Sequence, residues 1–199
     1  MVKTIFLSVI KIFIICIFFI SNASTETQNF ISVGENDAPV KIKVYSSFTC
    51  PHCANFHINV FPKIFEKYVK TGKVKVMFID FPLDLAALNA SKVLNCIDNN
   101  KQMAVMDLIY EKQKEWTNGT SIEEINIKLK KIITTSGINS DKIDQCLVNE
   151  NVENKILNGR IEGSKKYSIS STPTIIINEK KYTGSNDFKK IEKEIKKNI

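Results

Sequence analysis

Val40-Lys41-Ile42-Lys43-Val44-Tyr45-Ser46-Ser47-Phe48-Thr49-Cys50-Pro51-His52-Cys53 changes its period partway along. From Val40 to Val44, β-branched residues alternate with lysines, the pattern of a strand with one buried face. Beyond Cys53 the apolar residues fall at Phe56, Val60, Ile64, Phe65, Tyr68 and Val69, the spacing of one helix face. Two cysteines separated by two residues therefore stand where a strand gives way to a helix.

That position determines what the pair can do. The first N–H groups of a helix lack partners within it, and the helix dipole places partial positive charge there, so an anion at Cys50 is stabilised. Pro51 suits the first helical position, where its missing N–H is not needed. His52, as a cation or a hydrogen-bond donor, is expected to add to this effect. A thiolate favoured in this way has a lowered pKa and belongs to an oxidising disulfide. Each pKa unit is about 1.4 kcal/mol, or about 30 mV in a two-electron couple. Cys50 is read as the attacking and leaving sulfur, and Cys53, one turn deeper, as the buried resolving thiol. Two other uses of the pair stand beside this one. One is a purely structural disulfide. The other is part of a zinc or copper site, for which Cys53-x3-His57 offers a third ligand and nothing offers a fourth. His57 is otherwise read as a helix-surface residue on the Cys50 face.

Upstream, Met1–Lys11 carries two lysines and no acid, Ile12–Ile20 is unbroken and apolar, and Ser21-Asn22-Ala23 is short and small. This is the layout of a secretory signal peptide, with cleavage expected after Ala23. An uncleaved anchor is the rival reading, and the apolar run is short for one. Cleavage removes Lys3, Lys11 and Cys16, so a formal charge of +7 becomes +5 and five cysteines become four. An even number in an exported chain points to disulfides. The 199 residues are 43% hydrophobic and 25% charged, as in an ordinary globular domain. Of 28 basic residues only Arg160 is arginine, and the lysines are scattered. That describes a solvated surface rather than a nucleic-acid interface.

Downstream, Pro62 is expected to kink the first helix and Thr71-Gly72 to end it. Val74–Phe81 reads as a second strand, apolar on both faces from Val76 to Ile79 and hence internal. Helical spacing follows over Leu83–Ile97 and Met103–Trp116. Ser121…Glu124 forms a capping box opening Ile122–Ile133, with Gly137 as the C-terminal cap. Further helices are read around Asp141–Val148 and Val152–Tyr167, the last weakened by Gly159 and Gly163. Thr174–Asn178 and Lys181–Thr183 read as a hairpin. Ser185 or Asn186 is expected to cap a final helix carrying Phe188, Ile191 and Ile195 on one face. The order is strand–helix–strand, about 85 helical residues, then hairpin–helix. The expected architecture is one α/β domain over residues 24–199, with a helical insertion at about 83–168.

Cys50-Pro51-His52-Cys53, the helical insertion and Thr172-Pro173-Thr174 before the returning strand together resemble the DsbA family of thiol–disulfide oxidoreductases, which have a thioredoxin fold. The resemblance covers most of residues 36–199 and is strongest at Tyr45–Cys53 and Thr172–Ile177. It implies a cis peptide at Thr172–Pro173, placed against the active-site disulfide. A cis bond there exposes the Thr172 backbone to an extended substrate segment. The implied catalytic set is Cys50, Pro51, His52, Cys53, Thr172 and Pro173, with no cofactor and no metal. The resemblance also implies folding exported polypeptides as substrates, re-oxidation by a DsbB-like membrane quinone reductase, and the bacterial periplasm as the setting. Three features depart from or qualify it. Val40–Thr49 holds no Asp or Glu, where the family often buries an acid to relay the proton of the second cysteine. Thr172, rather than valine, precedes the proline, as is common in disulfide isomerases. Isomerases of this superfamily, however, usually carry an N-terminal dimerisation domain, for which residues 24–39 are too few. An isomerase or reductase stands as the alternative to an oxidase.

Cys96 and Cys146 lie on predicted helices of the insertion and are expected to pair, as in some DsbA relatives. The bond closes a loop of about 51 residues, worth about 4 kcal/mol in the chain-entropy treatment. The alternative is two separate buried thiols.

Overall fold

A computed structural model describes residues 30–199; the signal-peptide reading at residues 1–23 lies outside them. The alternation at Val40 becomes β2 (Val40–Ser46), the middle strand of a five-stranded sheet. The others are β1 (Ile31–Val33), β3 (Val74–Asp80), β4 (Thr174–Ile177) and β5 (Lys180–Lys181), in the order β1-β3-β2-β4-β5. β2 runs parallel to β3, from Val40 opposite Val74 to Ser46 opposite Asp80, and antiparallel to β4, with Tyr45 opposite Thr174. β1 was not legible in the sequence, because three residues are too few to show a period.

Parallel neighbours need a crossover. The stretch Pro51–Val69 supplies it, as α1 (Pro51–Asn55), a π-helical turn (Phe56–Val60), α2 (Phe61–Ile64) and a second π-helical turn (Phe65–Val69). The kink expected at Pro62 takes this form. Pro62 has no N–H to donate at the start of α2, and the Phe61 N–H reaches back five residues to the Phe56 carbonyl. Gly72, at φ +69°, ends the run in a left-handed conformation.

The insertion comprises α3 (Leu85–Cys96), α4 (Asn99–Glu111), α5 (Gln113–Trp116), α6 (Ile122–Thr134), α7 (Ser140–Leu147) and α8 (Glu150–Tyr167). Four of its six helix starts are capped by short polar side chains. Asp84 accepts from Ala87 N at 2.8 Å, Ser121 from Glu124 N at 3.2 Å, and Asn149 from Val152 N at 3.1 Å. The capping box at Ser121 is only half made, because Glu124 turns its carboxylate to the Thr120 N–H instead. The helix expected over Met103–Trp116 starts earlier, at Asn99, and is interrupted at Lys112. The last helix, α9 (Phe188–Lys197), is capped by Asp187 and not by Ser185 or Asn186. Asn186 is occupied elsewhere, donating to the Pro173 carbonyl at 3.4 Å.

Gly163 is explained by packing. α8 passes so close to β2 that a Cβ at Gly163 would stand 2.5 Å from a ring carbon of buried Tyr45. Cys96, at the end of α3, and Cys146, on α7, are disulfide-bonded, with their Cα atoms 5.5 Å apart. Among the described residues, no helix is long and apolar enough to cross a membrane.

Two stability predictions follow. Gly163→Ala is expected to lower the unfolding free energy by about 1–3 kcal/mol in a urea titration, although alanine favours helix, because the buried Tyr45 ring it meets is also in contact with Phe81 and Tyr167. Replacing Cys96 and Cys146 together by alanine is expected to cost about 4 kcal/mol in the same titration, the loop-closure value for a separation of 50 residues.

Candidate active site

β2 delivers the chain through Ser47–Thr49 to Cys50, which sits as the N-cap of α1 with φ −79° and ψ 119°. The Cys50 carbonyl accepts from Cys53 N at 3.1 Å and Ala54 N at 3.2 Å, the first helical bonds. Cys53 is 1% exposed, and the Ser47 N–H points at its sulfur from 3.5 Å. The turn before Cys50 is tied from outside. Thr49 donates its hydroxyl hydrogen to Asp84 at 2.6 Å, and Leu83 N donates to Ser47 Oγ at 3.3 Å. Because β4 runs antiparallel to β2, the start of β4 meets the end of β2. Thr172–Pro173, whose peptide bond is cis, thus lies against the motif. The Cys50 thiol faces the Thr172 carbonyl at 3.3 Å.

Both cysteines are free thiols, and their ionisations are pushed apart. Cys50 is brought down to about 5, first by the hydrogen bond from the Cys53 thiol. Burial opposes this; Thr172 and the backbone N–H groups of Cys53 and His52 assist. Cys53 is driven far up by burial and by its bond to Cys50. The contribution of His52 therefore comes through its backbone N–H, and its side chain is exposed. The Thr172 hydroxyl is buried beside the pair, and the two cysteine sulfurs are the groups whose anions it favours.

His57 corrects the sequence reading. It is 4% exposed rather than on the surface, stacked between Phe61 and Tyr110 with Phe78 at its edge. Its Nε2 lies 2.6 Å from Asp107 Oδ1. The side chain that the metal reading needed as a third ligand has its Nε2 on a carboxylate and its Nδ1 buried without a hydrogen-bond partner among the described residues. Among the described residues no group of three or more His, Cys, Asp or Glu is placed to hold a metal.

Other residues at the site were not singled out from the sequence. Asp80, opposite Ser46 in the β2–β3 register, accepts from Ser91 Oγ at 2.6 Å and Asn95 Nδ2 at 2.8 Å, and desolvation raises its pKa despite both bonds. The Tyr110 hydroxyl bonds Ser46 and feels charge at both Cys53 and Asp80. An acid does therefore stand beside the strand that lacks one, contributed by the neighbouring strand. Gln113 reaches the turn before Cys50 from the insertion. Each lies at least 27 residues from Cys53 in the chain, and no local spacing connects them to it. On the other flank, an open groove of about 680 Å³ is lined by His52, Asn55, Asn59, Thr172, Pro173 and Asn186 among others.

A family model described as Thioredoxin matches residues 25–197. The crystal structure of Wolbachia pipientis alpha-DsbA1 superposes with a TM-score of 0.78 at 30% identity, over 85% of this chain and 90% of that one. The chain belongs to the DsbA-like oxidoreductases of the thioredoxin family. This DsbA-like chain is also 29% identical over 175 residues to the probable disulfide bond formation protein D of Bacillus anthracis, covering 83% of this chain and 78% of that protein. It is 26% identical over 152 residues to a putative protein-disulfide oxidoreductase of Rickettsia bellii, covering 76% of this chain and 58% of the length of that relative.

For the reduced DsbA-like chain, thiolate absorbance is expected to titrate with a midpoint near pH 5, and Cys53→Ala to move it upward. The folded pKa of Cys50 is below its unfolded value of about 9, so its contribution to the stability of the reduced form is full above that value and fades as pH falls toward 5. A reduced-form melting temperature insensitive to pH between 5 and 9 would contradict this.

Proposed function

We propose that the chain oxidises pairs of thiols in exported polypeptides. The observation that carries this reading is the placement of the two cysteines, Cys50 at the N-cap of α1 and Cys53 enclosed one turn on, which favours the thiolate at the first and the protonated form at the second. In the oxidised enzyme a substrate thiolate attacks Cys50 Sγ of the Cys50–Cys53 disulfide. Cys53 leaves and takes up a proton, and a mixed disulfide joins Cys50 to the substrate. A second substrate thiolate then attacks the substrate sulfur of that bond and expels Cys50 as a thiolate. The substrate gains a disulfide, and the enzyme gains two electrons and one retained proton. A leaving thiol with a pKa of about 5 departs readily, and its stability as an anion makes the enzyme's disulfide oxidising.

Pro51 pre-shapes the first turn of α1, His52 contributes its N–H, and the Thr172 backbone before Pro173 receives the substrate as an added extended segment. In this reading the chain is exported by the segment cleaved near Ala23, works in the periplasm, and is re-oxidised by a DsbB-like membrane quinone reductase. The Cys96–Cys146 bond stiffens the insertion that holds the site. Isomerase action is the second reading, favoured by Thr172, whose buried hydroxyl lies beside the redox pair.

Equilibration of the Cys50–Cys53 pair with glutathione tests the direction. A potential near the roughly −120 mV of a strong oxidant is expected, and one near the roughly −270 mV of thioredoxin overturns the oxidase reading. Cys53→Ser is expected to accumulate mixed disulfides with scrambled ribonuclease, whose disulfides the Cys50 thiolate attacks with release of a ribonuclease thiolate, and Cys50→Ser to form none. Faster rescue of scrambled than of reduced ribonuclease would favour the isomerase.

A further inference from the structure

We propose that Gln113 is a positioning residue of the redox site, the side chain through which the helical insertion sets the reactivity of Cys50. Gln113 opens α5 immediately after the interruption at Lys112, and it is 7% exposed. Its Nε2 donates to the Phe48 carbonyl at 2.7 Å and to the Cys50 carbonyl at 3.0 Å. One amide group thus places its two hydrogens on two carbonyls that flank Thr49. One of these belongs to the residue that carries the reacting sulfur. The break at Lys112 makes this possible, since it ends the course of α4 just before Gln113.

The contact is suited to tuning rather than to binding. Cys50 is the N-cap of α1, so the orientation of its carbonyl fixes where the N–H groups of His52 and Cys53 lie relative to its sulfur, and those groups help to lower its pKa. The same carbonyl already accepts from Cys53 N and Ala54 N, and Gln113 adds a third donor from a separate part of the chain. Phe48 is held by the same insertion a second time, its ring 4.8 Å from that of Tyr110. The two N–H dipoles also offset negative charge on carbonyl oxygens close to where a thiolate forms. In a buried setting such an offset is weakly screened. Without it the thiolate is less favoured, while the uncharged disulfide is little affected, so the pair becomes less oxidising. The other ties on this turn, Thr49 to Asp84 and Leu83 to Ser47, sit at its outer edge and do not touch Cys50.

The assignment rests on Cys50–Cys53 being the redox pair and is independent of the direction of electron flow. Its test uses Gln113→Met, which keeps the length and removes both donors, and Gln113→Glu, which sets a carboxylate against the same two carbonyls. Gln113→Asn is a milder variant that keeps the amide and shortens its reach. The readouts are the pH dependence of Cys50 alkylation, followed by mass on the Cys50 peptide, and the equilibrium with glutathione, with melting temperatures of both redox forms alongside. Gln113→Met is expected to weaken Cys50 as an acid about tenfold and to lower the potential by about 30 mV, the equivalent for a two-electron couple. Gln113→Glu is expected to shift both further and Gln113→Asn less. A folded variant whose melting temperature falls while the Cys50 pKa and the potential stay at wild-type values shows a merely structural role and overturns the proposal. If the wild-type potential proves thioredoxin-like but the Gln113 variants still shift it in this order, the oxidase reading fails and the Gln113 assignment stands.

Discussion

The opposed pKa values of two thiols one helical turn apart, Cys50 low and Cys53 high, are the constraint around which the rest is arranged. This constraint asks for opposite things from two residues three positions apart. Cys50 must sit where a negative charge is tolerated, and Cys53 must sit where it is not. A strand leading into a helix meets both demands at once. The N-cap position gives Cys50 the unpaired N–H groups of the first turn, and the next turn carries Cys53 under the sheet, where it is almost fully enclosed. The low acidity of Cys53 leaves its proton free to be shared with the Cys50 thiolate.

Sheet topology supplies the other wall of the site. β2 lies between β3 and β4 and is parallel to one and antiparallel to the other. The parallel partner ends where β2 ends, bringing Asp80 beside Ser46. The antiparallel partner begins there, bringing Thr172–Pro173 against Cys50. Segments more than 90 residues apart therefore flank the same end of the central strand, with their order imposed by strand direction.

The insertion buttresses the same point from above. α3 begins at Asp84, which takes the Thr49 hydroxyl, and ends at Cys96, which is bonded to Cys146 on α7. One helix thus runs from the redox turn to the second disulfide. α4 and α5 add Tyr110 and Gln113 on the inner side. A block of helices with no sulfur chemistry of its own at the active site nevertheless shapes the backbone that presents Cys50.

The chemistry was legible in the sequence because it is local. Cys50, Pro51 and Cys53 declare their expected roles through a change of period within a few residues, and the start of α6 was readable from its capping Ser121. Local pattern misplaced what depends on contact. The surface reading of His57 followed its polarity, but it stands four residues after buried Cys53 and packs against Phe61, Phe78 and, from the insertion, Tyr110. The cap of α9 moved to Asp187 with Asn186 engaged by Pro173. Gly163 read as a flaw until Tyr45 was seen against it. By itself the sequence pointed to Cys50 and Cys53 as the redox pair and to a helix start suited to an anion, since helix ends and residue spacing act over one or two turns. Only the tertiary structure decided that Tyr110 and Gln113, from the insertion, flank the redox turn and that Asp80 lies beside the end of β2, because strand order and helix packing bring them together across separations that no sequence period spans.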